Sequence, residues 1–241
     1  MIPKIIHYVW FGGQPFPPKV QKCINSWRET MPDYEIKEWN ESNFDVNEIS
    51  FTQEAAGYKK WAFVSDYVRL KALYEYGGWY MDVDVETIRS LTPLANDSVV
   101  ISTEEGGFIE GAVMGSVPNH SFWKQVMDHY KGMHFVLPDG GLNQEVNNTY
   151  LQLLLKEKGY VMENKHQLLA DGIRVYPDDY LHVCSLTSGK LHLTENSYAI
   201  HWHTLLWVDN KTKFIRFMRM HVLVPLLGEH LYSKLVNRLR K

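Results

Sequence analysis

Apolar and polar positions along the chain switch between two periods, and the switches mark out the elements. Residues 4–13, KIIHYVWFGG, form a nearly continuous apolar run closed by two glycines, the pattern of a buried parallel strand feeding a tight loop. Residues 18–32 carry helical spacing that stops at Pro32. Residues 34–40, YEIKEWN, alternate as a second strand, and residues 41–53 are polar and irregular. From Glu54 to Tyr76 the spacing predicts one helix, with Gly77 and Gly78 as its stop. A strand over SVVIST (98–103) precedes a glycine-rich loop, EEGGFIEGA, a helix from about Asn119 to Lys131 and a loop through PDGGLN. A helix over QEVNNTYLQLLLKEKG and a late strand, SYAIHWH (197–203), complete the pattern. Strands alternating with helices predict an α/β fold with a mainly parallel sheet flanked by helices. It occupies one domain over residues 1–210, with residues 211–241 as a helical tail.

The segment YEYGGWYMDVDVE, residues 74–86, holds the chemistry. On one continuous strand Trp79, Met81, Val83 and Val85 would face a core, while Tyr80, Asp82, Asp84 and Glu86 would share the other face. Three carboxylates in a row on an apolar segment repel one another, and burying them unpaired is expensive. The helix before them is apolar nearly all round, and between Trp61 and Leu70 its only charges are Asp66 and Arg69, three apart on one face. Read alone, that pair is equally well a buried structural ion pair. Beside the acidic strand it takes on more meaning, because Arg69 cannot neutralise three carboxylates and a divalent metal can. Asp-x-Asp suits Mn2+ or Mg2+, which take oxygen ligands and keep positions open for phosphate oxygens. His201 and His203 fall on one face of the late strand as the only close histidine pair on a strand.

Composition narrows the picture further. Hydrophobic residues at 45% and charged residues at 22% argue for a globular chain, and a formal net charge of −3 gives no sign of a nucleic-acid partner. Two cysteines, Cys23 and Cys184, are too few for a disulfide framework and fit a reducing compartment. FGG is not a G-x-G-x-x-G fingerprint, so no dinucleotide cofactor is expected. No signal segment or spanning apolar stretch is visible, and the expectation is a cytoplasmic protein. His7 reads as a satisfied core histidine.

The block AFVSDYVRLKALYEYGGWYMDVD resembles the signature of glycosyltransferase family 32, retaining enzymes with an Asp-x-Asp motif in a sugar-binding region. IIHYVWFGG matches the same family's first strand, AIHWH gives a looser third match, and the glucosyltransferase domains of large clostridial toxins are more distantly similar. The resemblance implies the GT-A fold, whose nucleotide-binding half is Rossmann-like, and transfer of a hexose from a nucleotide sugar with retention of configuration. It implies that Val9 and Trp10 hold the nucleobase and that Asp66 and Arg69 grip the donor sugar's hydroxyls. Tyr80 and Asp82 would contact the ribose and sugar side. Asp84 would be the direct metal ligand, with Asp82 acting mainly through water and His201 as a late metal or diphosphate contact; His203 lies beside it. With Asp82 and Asp84 committed to metal and nucleotide, no dedicated nucleophile stands out, and attack by the acceptor on the leaving-group face is expected. Glu110 stands where the family often has a small polar residue, and is a nucleophile candidate, an acceptor contact or loop charge.

The tail sets Lys211, Lys213, Arg216, Arg219, Lys234, Arg238, Arg240 and Lys241 against one acid, Glu229, with leucines and phenylalanines between them. This is the pattern of a basic amphipathic segment on an anionic membrane surface, or of a terminal helix pair packed on the core. The combined expectation is a UDP-sugar-dependent bacterial transferase at the inner face of the cell membrane. Its acceptor would be a glycan or lipid-linked sugar in capsule or lipopolysaccharide assembly. A nucleotide-sugar or glycan-binding protein without turnover, and an Asp-motif phosphohydrolase, are the alternatives.

Overall fold

The computed structural model describes residues 1–204, 210–228 and 231–232. The strands are β1 (Ile5–Val9), β2 (Glu35–Trp39), β3 (Gly78–Met81), β4 (Val85–Thr87), β5 (Val99–Glu104), β6 (Phe108–Ser116), β7 (Gln167–Leu168), β8 (Ile173–Tyr176) and β9 (Ala199–His201). The helices are α1 (Pro18–Thr30), α2 (Ser50–Gly57), α3 (Trp61–Tyr76), α4 (Ser121–Tyr130), α5 (Asn147–Glu157), α6 (Asp178–Leu181), α7 (Asn210–Met218) and α8 (Val224–Leu227). Seven strands form one sheet in the order β2-β1-β3-β6-β5-β8-β7, and β4 pairs with β9 in a separate ribbon. Five of the seven run the same way; β6 and β7 run against them. The α/β expectation, with a mainly parallel sheet, therefore holds.

Alternation along the strands splits the core into two layers. Val9, Tyr80, Ile101 and Met114 face a cluster built with Val64, Tyr67, Phe122 and Leu151. Ile6, Tyr8, Trp10, Trp79 and Met81 face the other, built with Val20, Ile24 and Trp27 of α1. His7 is fully buried between them: its Nε2 meets the Gly77 carbonyl at 2.9 Å and its Nδ1 accepts the Trp39 indole N–H at 3.2 Å. That fixes a neutral Nε2–H tautomer, and burial pushes the imidazole down to about 4.

Several expected elements differ. The single helix expected over Glu54–Tyr76 is two, α2 and α3, because the chain breaks at Lys59, whose φ is +54°. The glycine-rich loop at EEGGFIEGA is instead the β5–β6 hairpin, so Glu110 lies on a strand and not in a loop. Glycine hid that strand: at Gly115 a Cβ would sit 2.8 Å from the Trp79 ring, so the glycine is there for close packing. The acidic strand also fails to run straight through. β3 ends at Met81, the Val85 N–H donates to the Asp82 carbonyl at 3.0 Å to close a turn, and only then does β4 begin.

The α3–β3 join allows no slack. Gly77 and Gly78 have φ of +65° and +85°; a Cβ on Gly77 would lie 2.7 Å from the Ser116 carbonyl oxygen, and one on Gly78 would lie 2.6 Å from the Ile5 carbonyl oxygen.

At the other end, α7, a π-helical turn (Arg219–Leu223) and α8 make a helical stretch with one face on the core. Arg216 donates to the His203 carbonyl and Arg219 to the Leu186 carbonyl, so two of the basic residues expected to face a membrane are turned inward. Phe214 (63% exposed), Ile215, Phe217 and Leu226 point outward. Lys234, Arg238, Arg240, Lys241 and Glu229 lie outside the described residues. Among the described residues no helix is long and apolar enough to cross a membrane.

Candidate functional site

A cavity of about 310 Å³ opens beside the β3–β4 turn, lined by Val9, Asp66, Arg69, Tyr80, Asp82, Asp84, Glu110, His201 and His203 among others. Arg69, nine-tenths buried on α3, is its electrostatic centre. Its guanidinium pairs with Asp66 at 3.2 Å and Asp82 at 3.5 Å, donates to the Gly111 carbonyl at 3.1 Å, and lies 4.6 Å from the centre of the Tyr80 ring. The Tyr80 hydroxyl donates to Asp82 at 2.6 Å and thereby aims that carboxylate. Burial pushes Asp66 up to about 6 despite the nearby Arg69 charge, and the Asn147 backbone N–H reaches it at 3.4 Å.

Asp84 is anchored from the C-terminal side. The Thr204 backbone N–H and hydroxyl both donate to its Oδ2, at 2.7 and 2.8 Å, leaving Oδ1 3.4 Å from His201 Nε2. Burial alone would raise its pKa, but the His201 charge and the Thr204 hydrogen bonds hold it well below the ordinary carboxylate range. Burial likewise opposes the charge on His201, yet Asp84 carries it up to about 9. One ligand atom from each of Asp82, Asp84 and His201 lies within 4.8 Å of the others. Two carboxylates and an imidazole around one point fit a Mn2+ or Mg2+ ion.

Not every expected residue joins this group. His203 lines the cavity with its ring 3.9 Å from that of His201, but it stands outside the three-residue cluster. Burial and the neighbouring imidazole push it down to about 2. Trp10 does not line the cavity. It sits on the opposite face of β1 from Val9, its indole donates to the Gln14 carbonyl at 2.7 Å, and its ring packs edge-on against Phe16 at 5.0 Å. Glu86 also leaves the group, because beyond the turn it lies on β4, which pairs with β9 and runs past α1. It pairs with Lys22 at 2.8 Å and accepts the Trp202 indole N–H at 2.9 Å. Glu110 does line the cavity, held by the Ala112 N–H at 3.2 Å and Asn148 Nδ2 at 3.4 Å, and burial raises its pKa.

Sequence reasoning missed Ser65, Asn147, Asn148 and Thr204. Ser65 sits one residue before Asp66 on the same helix and was within reach. Asn147 and Asn148 open α5, and nothing local marks them; Gly111 brings them in, since a Cβ there would be 2.7 Å from Asn148 Oδ1.

Residues 17–103 match the family model described as the glycosyltransferase sugar-binding region containing a DXD motif. Over that stretch the chain is similar to this glycosyltransferase family, and its α/β architecture fits the GT-A arrangement that the resemblance implies. Inositol phosphoceramide mannosyltransferase 3 of Schizosaccharomyces pombe is 32% identical over 52% of this chain and 36% of its own length. Inositol phosphoceramide mannosyltransferase 2 of the same organism is 23% identical over 92% of this chain and 63% of its own. Mannosyl phosphorylinositol ceramide synthase CSH1 of Saccharomyces cerevisiae is 31% identical over 54% and 36%. The chain thus spans between 36% and 63% of the length of these curated relatives. Among solved structures, PaToxG glycosyltransferase is similar with a TM-score of 0.49 and 17% identity over 65% of this chain and 70% of that one. Galactosyltransferase LgtC, with donor and acceptor sugar analogues, gives a TM-score of 0.40 and 15% identity over 73% and 74%.

Proposed function

We propose that the chain is a metal-dependent, retaining hexosyltransferase that takes its sugar from a nucleotide donor and passes it to a glycan or lipid-linked acceptor. The observation that carries this reading is convergence: the Asp82, Asp84 and His201 cluster opens into the same cavity as the buried Asp66–Arg69 pair. Asp84 Oδ1, Asp82 and His201 Nε2 would hold Mn2+ or Mg2+, which when bound offsets charge developing on the diphosphate leaving group. Thr204 keeps Asp84 in place, and Tyr80 and Arg69 keep Asp82 in place. Asp66 and Arg69 present an acceptor and a donor side by side, the complement of a sugar's vicinal hydroxyls. Val9 forms the wall at the nucleotide end, and Trp10 supports that wall from the core side.

Retention follows from attack on the leaving-group face. The acceptor oxygen bonds to the anomeric carbon as the bond from that carbon to the diphosphate oxygen breaks, and that oxygen takes the acceptor proton. Glu110 lies on the sugar side, oriented by Ala112 and Asn148.

The relatives' names support a lipid-borne acceptor and a mannosyl donor beside the UDP-hexoses; they lend no support to capsule or lipopolysaccharide assembly. The outward Phe214, Phe217 and Leu226 suit contact with a membrane surface, and replacing all three by serine should weaken co-sedimentation with anionic vesicles. Equal pelleting of both proteins would remove the membrane contact.

The deciding experiment is a panel of UDP-glucose, UDP-galactose and GDP-mannose with Mn2+, scored for nucleoside diphosphate release with and without EDTA. Slow release from one donor that EDTA abolishes is expected. Inorganic phosphate release would indicate a hydrolase, binding without release a recognition module, and EDTA-insensitive release a transferase without metal.

A further inference from the structure

Among the described residues four carboxylates line the cavity beside the β3–β4 turn, and three of them have a charged partner. Asp66 and Asp82 pair with Arg69, and Asp84 pairs with His201. Glu110 is the fourth. Its Oε1 accepts from the Ala112 N–H at 3.2 Å and from the Asn148 side-chain amide at 3.4 Å, and both of these are neutral groups. Among the described residues no cation stands at ion-pair distance from Glu110, and no hydrogen bond reaches its Oε2. Glu110 is part-buried, and Oε2 keeps accessible surface in the cavity that the residue lines.

The carboxylate is fixed in place from both sides. β6 carries Glu110 opposite Ser102 of β5. The preceding N–H, of Ile109, donates to Gln152 of α5 at 3.2 Å, and the following carbonyl, of Gly111, accepts from Arg69 at 3.1 Å. Asn148 packs so closely on Gly111 that a Cβ there would lie 2.7 Å from its Oδ1. The position is also central. His201 and Asp82 act on Glu110 from the side of the proposed metal ligands, and Arg69 and Asp66 from the side proposed to grip the sugar. The anomeric carbon of a donor joins its sugar to its diphosphate, and so falls between those two sides.

Burial works against the charge on Glu110, and a neutral sugar in the ground state gives that charge no counterpart. The reaction supplies one. As the bond from the anomeric carbon to the diphosphate oxygen breaks, its electron pair leaves on that oxygen, and positive charge spreads over the carbon and the ring oxygen. A buried carboxylate beside that charge is favoured only while the charge exists, which is in the transition state.

We propose that Glu110 is a catalytic residue, whose carboxylate offsets the positive charge developing on the donor's anomeric carbon without bonding to that carbon. The proposal rests on the transferase reading above. Asp82, Asp84 and His201 serve the negative side of the breaking bond, and Glu110 serves the positive side. The acceptor oxygen bonds to the carbon on the leaving-group face, and its proton goes to the diphosphate oxygen, so Glu110 takes no proton. Asp66, Asp82 and Asp84 are already matched by Arg69 and His201, which leaves Glu110 as the uncommitted anion.

The test uses the full chain, Mn2+ and whichever donor the panel identifies. Glu110→Gln keeps the shape and removes the charge, and kcat for nucleotide release should fall about a hundredfold while the donor KM stays within about twofold. Glu110→Asp keeps the charge on a shorter arm and should lower kcat only about tenfold, again with little change in KM. Calorimetry supplies a readout without turnover. Deoxynojirimycin and its galacto and manno isomers, which carry a protonated ring nitrogen in mildly acidic buffer, are compared with the neutral 1,5-anhydrohexitols of the same configuration, in the presence of UDP or GDP. The charged ring should bind the unmodified protein about tenfold more tightly than the neutral one, and Glu110→Gln should remove most of that difference. Intact-protein mass spectrometry with donor alone should find no glycosyl adduct. An unchanged kcat in either variant, a raised donor KM in place of a lowered kcat, equal binding of charged and neutral rings, or an adduct on Glu110 overturns the proposal. Absence of nucleotide release from every donor in the unmodified protein would instead remove the transferase reading, and the proposal with it.

Discussion

In the cavity proposed for the donor the charges answer one another: Asp66 and Asp82 flank Arg69, and Asp84 faces His201. Across His203, Asn164 donates to Asp178, and Thr194 and Asn196 donate to Asp179, so neutral groups meet these two carboxylates of a second cavity, which His182 and His203 also line. Fixed, mutually paired charges in a sheltered site are suited to stabilising charge that develops during a reaction. Adjacent spaces sharing one side chain thus differ in how these carboxylates are held.

Breaking the paired side should have the largest effect. Asp84→Ala removes the proposed ligand that Thr204 positions, and kcat for nucleotide release should fall about a thousand-fold, or about 4 kcal/mol, with an unchanged circular dichroism spectrum. Retention of more than about a tenth of the activity, roughly 1.4 kcal/mol, would show that Asp84 holds no essential ion. Arg69→Met tests whether the pairing also supports the fold. It strands Asp66 and Asp82 without their cation and should cost about 3 kcal/mol in urea unfolding, with Asp66→Asn/Arg69→Met regaining part of that loss. Additive losses in the double variant would mean that the two groups act separately.

A third test probes the frame that both cavities share. His7 titrates near 4 in the folded chain against an ordinary value of 6.5, so the unfolded chain binds more protons between those values. Its contribution is complete above pH 6.5 and is lost as pH falls toward 4, about 3 kcal/mol in all. A His7→Gln variant should flatten the fall in stability across that window in pH-dependent urea melts; an equal slope in both proteins would place the titration elsewhere. The smallest effect is expected at Trp10. Trp10→Phe should cost about 1 kcal/mol of stability and leave the donor KM within about twofold, since the ring packs against Phe16 behind the cavity wall. A large rise in KM would return the indole to the nucleobase.

Legibility in the sequence followed how local each signal was. The α3–β3 block was readable because Asp66, Arg69, Tyr80, Asp82 and Asp84 lie within one helix, one turn and one strand. Glu86 was misplaced by the same reasoning, since a two-period alternation assumes a straight strand and the chain turns after Asp82. β6 was missed because Gly111 and Gly115 lower strand signal while serving close packing against Asn148 and Trp79. Asn147, Thr204 and the cavity around His182 come together only through tertiary contacts, and no local period encodes them.

The join at Gly77 and Gly78 acts as a ruler. Because both residues are pressed against neighbouring backbone, the number of residues between Arg69 and Asp82 sets which way that carboxylate points. One extra residue in the join would turn Asp82 toward Trp27 and the α1 layer, and one fewer would pull β3 out of register with β1. Apart from the two glycines, this stretch can therefore drift in side-chain identity far more readily than in length, and homologous chains should keep Gly77 and Gly78, show substitutions around them and show no gaps.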